Sequence, residues 1–378
     1  MSVDVIILNT AVADFRSNEF TFTEELAGPG GLARCKTKDM PEYTQNQYKN
    51  WIDKGMVTAG GPGNTAPLIA KAGLKVAVGV NLGKGDYNGL DAQGRFFYDT
   101  MTKYNVDMSQ TFIHPNLPTG TTFIYEKINN ERGGIAYFPN TNNDFDFEYF
   151  KKSIEKLKPK IVFYMYSGLS DRGDANEGRD LANFIKWCRR NGIVTIVDCH
   201  TLTGNPQKLI EGKAIVPEYK LLKPLLPELD IFFTSYDEAR MIANTFGENI
   251  PEQDFIINFL KYLSNKYYNF KIFGVTVKDG AFVVYKDAKG NITGPEKITS
   301  KFMGKGVTDL VGAGDSFRAG VVVYIAKNID KFKNDTIDIE QAIQMGNLFA
   351  SLYIKSPLND RYGNIKLYNE MLDIINGK

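Results

Sequence analysis

The chain has 378 residues, of which 43% are hydrophobic and 24% are charged, so the composition excludes a disordered or low-complexity protein and allows a sizeable core. The 45 basic and 44 acidic residues leave a net charge of +1, which excludes an overall field that would select nucleic acid or an anionic membrane as partner. Because α/β folds often reach this length as one unit, we expect a single domain over residues 1–378 with a small subdomain.

The cysteines and the first residues indicate a cytoplasmic location. Cys35, Cys188 and Cys199 are odd in number and widely spaced, a pattern that fits neither a disulfide framework nor a metal cluster. The opening run MSVDVIILNT has no basic flank and no long apolar stretch, so it predicts a core strand rather than a signal peptide or a membrane span.

Short apolar runs alternate with amphipathic stretches along the chain. The runs that predict buried strands are residues 5–8, 76–80, 161–165, 193–197, 231–233 and 272–277. Residues 180–190 and 255–262 have apolar positions at helical spacing. This alternation predicts an α/β fold, a three-layer α/β/α sandwich with a mostly parallel central sheet. Ligands are then expected at the carboxyl ends of the strands.

Two regions interrupt the alternation. Residues 15–56 are polar and contain several glycines, and residues 119–138 place two apolar runs around an Asn129-Asn130 pair, which is a hairpin pattern. We expect parts of 15–56 and 119–138 to form a small β-rich lid.

The densest motif is the run DLVGAGDSF at residues 309–317. Gly312, Ala313 and Gly314 leave their backbone N–H groups uncovered, and a helix that starts here adds further donors, so the turn is suited to bind phosphate. A carboxylate at Asp315 could then accept the proton of an attacking hydroxyl. The spacing alone fits equally well an aspartate that caps a helix after a glycine-rich turn.

A second glycine-rich run, GGPGNTA, occupies residues 60–66. It partly matches a dinucleotide fingerprint, but residues 53–59 form a poor preceding strand, Pro62 removes a donor, and the next strand ends at Asn81 instead of an acid. The alternative is close backbone approach to a polyol, with the Asn64 amide bonding hydroxyls. No G-x-x-x-x-G-K-[ST] motif occurs, so phosphates must be held in another way than in a P-loop.

Together the two runs resemble the ribokinase-like PfkB carbohydrate kinase family, and the likeness covers most of the chain. Residues 309–317 match the family signature D-T-x-G-A-G-D-[ST]-F, with Leu310 in place of threonine. The resemblance implies ATP-dependent phosphoryl transfer to a hydroxyl of a small carbohydrate. It makes Asp315 the general base, and the backbone amides of 312–315 the anion hole.

The same resemblance assigns the other site residues. Asp14, Gly60, Gly61 and Asn64 bind the acceptor. The run 235–238 aligns with an N-x-x-E element that organises Mg²⁺, so Glu238 is the expected metal residue although Ser235 replaces the asparagine.

On the ATP side, the resemblance implies contacts from Thr276, Lys278 and Gly280, with Lys278 at a position that is usually glycine. Asn347 falls near the adenine pocket of the family, although a surface amide without a ligand also fits it. Many family members hold K⁺ beside the anion hole, and here Asp309 would help to bind it.

Alternatives remain open for the acceptor and the activity. The stretch between Asp14 and Gly60 is about as long as in adenosine kinase-like members, which favours a nucleoside as the second choice. The changes at Ser235, Leu310 and Lys278 also fit a catalytically weak sugar-binding or regulatory protein. The expected partner is a small molecule, not nucleic acid or membrane, and family lids that pair imply a homodimer.

Overall fold

The computed structural model describes residues 2–28, 31–126, 132–200 and 206–378, so the predicted Asn129-Asn130 turn lies outside the described residues. The strands, numbered along the chain, are β1 (Val5–Leu8), β2 (Val12–Ser17), β3 (Leu32–Arg34), β4 (Val57–Gly60), β5 (Val76–Gly79), β6 (Asn81–Gly85), β7 (Gly89–Leu90), β8 (Phe112–His114), β9 (Gly120–Glu126), β10 (Arg132–Phe138), β11 (Ile161–Tyr164), β12 (Val194–Val197), β13 (Ile231–Ser235), β14 (Ile272–Val277), β15 (Gly280–Lys286) and β16 (Ile292–Thr299).

The α-helices, numbered in the same way, are α1 (Phe22–Ala27), α2 (Glu42–Gln45), α3 (Tyr48–Asp53), α4 (Ala66–Lys71), α5 (Ala92–Lys103), α6 (Phe147–Leu157), α7 (Asp171–Asp174), α8 (Arg179–Arg190), α9 (Pro206–Glu211), α10 (Leu222–Leu225), α11 (Tyr236–Phe246), α12 (Phe255–Lys266), α13 (Ala313–Lys327), α14 (Ile329–Lys333), α15 (Ile339–Lys355) and α16 (Tyr368–Ile375). Within the described ranges, none of these helices is both long enough and apolar enough to cross a membrane.

Eight strands form the central sheet, in the order β16-β15-β14-β13-β12-β11-β1-β5. All neighbours from β5 to β14 pair in parallel, and only β15 and β16 are antiparallel. The predicted α/β sandwich with a mostly parallel sheet is therefore confirmed. The predicted strands 5–8 and 272–277 coincide with β1 and β14, and the other four differ by one or two residues at an end.

Both faces of the central sheet are buried, which explains why its strands are continuous apolar runs. In β1, Val5 and Ile7 join the core formed with α4, α13 and α15, whereas Ile6 and Leu8 join the core with α6, α8, α11 and α12. This alternation follows from the two-residue period of a strand. The two helical layers hold the strand ends in fixed relation to each other.

A second sheet, in the order β3-β10-β9-β2-β4, follows directly from the central one, since only three residues separate the end of β1 from the start of β2. One face of it packs against an aromatic cluster that includes residues of the 15–56 insertion. The rings of Phe20 and Trp51 lie 5.1 Å apart, and those of Trp51 and Phe123 lie 5.9 Å apart. Aromatic pairs at these separations stabilise a small core beyond the area that they bury.

The segment before the second glycine-rich run is a strand after all. Residues 57–60 form β4, which the sequence did not favour, but β4 pairs antiparallel with β2 in the second sheet. A dinucleotide fingerprint requires a strand of a parallel β-α-β unit at this place. The arrangement therefore still argues against a dehydrogenase.

Candidate active site

A cleft of about 220 Å³ lies between the carboxyl ends of the central strands and the second sheet. Thr10, Tyr166 and Asp198 enter it just after β1, β11 and β12, and Glu238 enters it from the first turn of α11, which follows β13. Strands β2, β9 and β10 supply its other wall. Residues 310–315 close one end of it. The cleft therefore occupies the place where ligands bind in open parallel sheets.

The glycine-rich turn forms the start of α13. Gly312 has a φ of 84° and is the N-cap residue, and a Cβ there would lie 2.8 Å from the ring of Tyr353. Ala313 donates its N–H to the carbonyl of Leu310, so this one of the predicted donors is already engaged. Within the described part of the chain, the N–H groups of Gly314 and Asp315 have no protein acceptor. Two donors at a helix start are thus available to an anion.

Asp315 is not the cap of α13, because that position belongs to Gly312, which has no side chain. Instead, Asp315 Oδ2 accepts hydrogen bonds from Asn64 Nδ2 and from the hydroxyl of Tyr166, each at 2.9 Å. Burial raises the pKa of Asp315, and the positive charge of Arg318 and the two donors oppose this rise. The carboxylate is therefore held in one position at the closed end of the cleft.

Asn64 is itself oriented by a residue that the sequence did not single out. The Tyr353 hydroxyl donates to Asn64 Oδ1 at 2.8 Å, so the amide must present its NH₂ group to Asp315. Tyr353 and Tyr166 are isolated tyrosines without a motif around them, and no sequence pattern marks them.

A second buried carboxylate, Asp198, was also missed. It follows β12 and forms an ion pair with Arg318 of α13, at 3.1 Å, and Arg318 also donates to the carbonyl of Phe233 at 2.8 Å. Burial raises the pKa of Asp198 to about 7, with the charges of Asp315 and Glu238 acting in the same direction. Its position just after a predicted strand was the available signal. His200, two residues on, lines the cleft as well.

Glu238 lies in the first turn of α11 and lines the cleft. Its Oε2 accepts from the Thr234 hydroxyl at 2.9 Å and from the Ser235 N–H at 2.7 Å, while Ser235 Oγ accepts from the Glu238 N–H at 3.3 Å. This is a capping box. The serine that replaces asparagine thus caps the helix, and the buried carboxylate at the cleft wall could serve hydrated Mg²⁺.

The predicted acceptor residues are brought together at the other side of Asp315. Asp14 and Asn64 line the cleft with Gly61, and a Cβ on Gly60 would lie 2.2 Å from Asp14 Oδ2. Gly61 has a φ of 56°, and a Cβ there would lie 1.9 Å from the carbonyl oxygen of Thr10. Both glycines are therefore required for the close approach of β4 to β1 and β2. Burial raises the pKa of Asp14 to about 6.

The predicted ATP residues, all described by the structure, lie outside the residues that line this cleft. The Thr276 hydroxyl donates to the carbonyl of Thr234 at 3.3 Å, and Lys278 is exposed in the turn between β14 and β15. Gly280 has a φ of 142°, and a Cβ there would lie 2.2 Å from the Ile298 carbonyl. Asn347 is buried on α15 and donates to Gln344 Oε1 at 3.4 Å, so it is not a surface amide.

Asp309 has two arginine partners. Its Oδ2 lies 2.9 Å from Arg16 Nη1 and 2.9 Å from Arg361 Nη2, and Arg361 Nη2 also donates to the carbonyl of Val311 at 2.8 Å. Two guanidinium groups already neutralise this carboxylate. The residues present at Asp309 therefore do not fit K⁺.

Comparisons with known proteins agree with this geometry. Residues 42–360 match the profile of the pfkB family carbohydrate kinases, so the chain belongs to this family. It is accordingly a phosphotransferase that acts on a hydroxyl group, and enzymes of this family use ATP. No curated protein matches the sequence significantly.

Several solved structures share the fold. An adenosine kinase from Sinorhizobium meliloti is 16% identical with a TM-score of 0.64, and covers 96% of this chain and 98% of its own. A fructokinase with bound ATP from Xylella fastidiosa is 16% identical with a TM-score of 0.64 and 99% coverage of both chains. A nucleoside kinase from Methanocaldococcus jannaschii is 14% identical with a TM-score of 0.59, and covers 100% of this chain and 99% of its own. At these identities, the likeness shows the fold alone.

Proposed function

We propose that this kinase transfers the γ-phosphoryl group of ATP to a hydroxyl of a small carbohydrate, with Asp315 as the general base. The observation that carries the proposal is the position of the Asp315 carboxylate. It lies in the cleft, beside the unpartnered N–H groups at the start of α13, and is held by Asn64 and Tyr166.

The proposed chemistry follows from this contact set. The acceptor hydroxyl gives its proton to Asp315 as its oxygen attacks the phosphoryl group. Burial, which raises the pKa of Asp315, makes the carboxylate a better proton acceptor. The N–H groups of Gly314 and Asp315 and the guanidinium of Arg318 stabilise the charge that develops on the phosphoryl oxygens. These groups are fixed before the substrate arrives, so they need little rearrangement.

We assign acceptor binding to Asp14, Gly60, Gly61 and Asn64. The Asp14 carboxylate accepts hydrogen bonds from ring hydroxyls, and the two glycines let the acceptor approach the backbone closely. We assign the nucleotide to Thr276, Lys278, Gly280 and Asn347. Glu238 holds Mg²⁺ through its hydration shell, and the ion neutralises phosphate charge.

The second sheet is the proposed lid of a single domain that spans residues 1–378. It covers the mouth of the cleft, and its closure over the acceptor keeps out water that would otherwise accept the phosphoryl group. The supporting observation is that β2, β9 and β10 contribute side chains to the cleft wall.

A nucleoside is the second candidate acceptor. Leu32, Ile124 and Ile135 line the cleft with the ring of Tyr137, and together they form an apolar surface on one side of it. The flat base of a nucleoside would bury more apolar area against this surface than the C–H groups of a sugar ring alone.

The experiment is ADP release with Mg-ATP across pentoses, hexoses, sugar acids, polyols and nucleosides, for the wild type and Asp315→Asn. The matched control is Asp99→Asn, since Asp99 is an exposed partner of Arg95 on α5 and does not line the cleft. Acceptor-dependent turnover that Asp315→Asn lowers by about 10²- to 10⁴-fold and Asp99→Asn leaves intact supports the proposal. Ligand binding without turnover for every acceptor would instead favour a binding or regulatory protein.

Two further proposals concern the setting of the enzyme. Cys35, Cys188 and Cys199 are free and buried, which supports a reducing, cytoplasmic location. For a homodimer through the lid, the aromatic cluster covers one face of the second sheet and the other face lines the cleft, so pairing would have to use the edge strands β3 and β4. Light scattering that gives the monomer mass would exclude this dimer.

A further inference from the structure

We propose that the guanidinium group of Arg361 takes the place of a monovalent cation beside the phosphate-binding turn, so that the kinase works without K⁺. The inference rests on the proposed function of that turn. It makes Arg361 a positioning residue rather than a group that touches the substrate.

The Arg361 side chain binds two oxygens of the phosphate-binding turn. Its Nη2 bonds both Asp309 Oδ2, at 2.9 Å, and the Val311 carbonyl oxygen, at 2.8 Å. Asp309 Oδ1 in turn accepts the Val311 N–H at 3.0 Å. One nitrogen of Arg361 therefore lies between two oxygens, a carboxylate and a carbonyl, which are the kind of ligand that a hard cation would need.

The Arg361 guanidinium is buried within the fold. Arg361 is only 3% exposed, and its guanidinium carbon lies 4.3 Å from the centre of the Tyr353 ring. Such a contact over an aromatic face is favourable, the more so when it is desolvated. Tyr353 holds Asn64, and Asn64 holds Asp315. Arg361 therefore supports both the turn and the orientation of the proposed base.

The positive charge beside the turn is permanent. Arg16 adds a second guanidinium to Asp309, at 2.9 Å, and is itself buried. Arg16 Nη1 also lies 3.5 Å from Glu126 Oε1, so the two guanidinium groups face two carboxylates, and arginine does not lose its proton in proteins. A bound ion can leave, but this charge cannot. The turn that receives phosphate thus has a fixed positive neighbour at every salt composition.

The test compares turnover in potassium, sodium and tetramethylammonium chloride at equal ionic strength. We expect the wild-type kcat to agree within about twofold among the three salts, because the positive charge is already supplied. Arg361→Ala should lower kcat by about 10- to 100-fold with a smaller change in the acceptor KM, since misplacement of catalytic groups acts mainly on the chemical step. Added K⁺ or guanidinium chloride should restore part of the loss, and Arg361→Lys should lose less than Arg361→Ala.

The matched control is Arg189→Ala, which removes a partly buried guanidinium from a carboxylate, Glu228 at 2.7 Å, away from the cleft. Arg189→Ala should show neither the loss of kcat nor any recovery on addition of K⁺ or guanidinium chloride. A second readout is the melting temperature, which K⁺ should raise above the value in sodium for Arg361→Ala but not for the wild type. This readout does not depend on finding the acceptor.

Three results would overturn the inference: activation of the wild type by K⁺, full activity of Arg361→Ala, or a wild-type melting temperature that rises specifically with K⁺. A wild type that turns over no acceptor in any salt contradicts the proposed function instead. In that case the melting comparison still decides whether Arg361 occupies a cation position. If Arg361→Ala does not fold, Arg361→Lys and the wild-type salt series decide it.

Discussion

Asn64 and Asp315 are 251 positions apart in the sequence, yet Asn64 Nδ2 lies 2.9 Å from Asp315 Oδ2. This hydrogen bond joins the run that follows β4 to the turn that opens α13. It also ties the proposed acceptor site to the proposed base, so a change in Asn64 should affect both binding and chemistry.

The donors to Asp315 should set the pH dependence of turnover. Asn64→Ala and Tyr166→Phe each remove a donor that stabilises the ionised carboxylate, so the pKa of Asp315 should rise above its already raised value. Because the base must be ionised, the acidic limb of the kcat/KM profile should move to higher pH in both variants.

Tyr164→Phe is the matched control for Tyr166→Phe. Tyr164 is also buried, and its hydroxyl bonds Asn9 at 2.9 Å rather than Asp315. This variant should leave the acidic limb unchanged. An unchanged limb in Tyr166→Phe would show that the hydroxyl does not act on the base.

Gly61→Ala should destabilise the protein more than Gly89→Ala. Both glycines have positive φ values, 56° and 84°, but a Cβ at Gly61 would lie 1.9 Å from the Thr10 carbonyl, whereas Gly89 has nothing within 4 Å. We expect a loss of about 1 kcal/mol for Gly89→Ala from backbone strain alone, and a loss larger by about 2 kcal/mol or more for Gly61→Ala, whose clash is with backbone. Denaturant unfolding measures both, and equal losses would contradict the close approach.

Asp198 should make the protein less stable as the pH rises through the acidic range. Its pKa is about 7 in the folded protein against an ordinary value of 3.8, so the folded state holds this proton more tightly than the unfolded state. The resulting stabilisation is present at low pH and is lost between about pH 4 and pH 7.

The check is the free energy of unfolding of the wild type and of Asp198→Asn, measured from pH 4 to pH 8. Asparagine does not titrate, so the free energy of unfolding of the wild type should fall relative to that of Asp198→Asn as the pH rises to about 7. Above that pH the difference should stay constant. A constant difference over this range would mean that Asp198 is ionised throughout.

Lys278 should contribute to ATP binding but not to acceptor binding. It is exposed in the turn after β14, and an exposed charge that meets phosphate contributes modestly, so Lys278→Ala should raise the KM for ATP by about two- to fivefold. Lys289→Ala, in the turn between β15 and β16, is the control. Equal KM values for ATP in the two variants and the wild type would show that Lys278 does not belong to the nucleotide site.

The sequence predicted the central sheet well because strands buried on both faces are continuous apolar runs that do not depend on distant residues. β1 and β14 were predicted at their observed bounds. The glycine-rich turn was predicted for a similar local reason, since its backbone conformation requires small residues. The sequence did not predict the exact first residue of α13, which is Ala313, inside the motif.

The contacts that orient the site could not be predicted in this way. Tyr166, Tyr353 and Arg361 act through partners far away in the sequence, and nothing in their local sequence distinguishes them from other tyrosines or arginines. The buried capping box of Ser235 and Glu238 shows the opposite limit. The capping-box pattern is recognisable in the local sequence, but only the tertiary fold shows that it lies at the cleft wall.

The cleft takes its residues from both ends of the chain. Asp14 and Asn64 come from the first part, whereas Asp315 and Arg318 come from the last, and Arg361 contacts the turn from outside the cleft. During synthesis the acceptor half is therefore made long before the base, and a ribosome must pass residue 361 before the turn has its full set of contacts. Because α13 and α15 also cover one face of the central sheet, the growing chain lacks both the proposed base and that helical layer until its last part has been made.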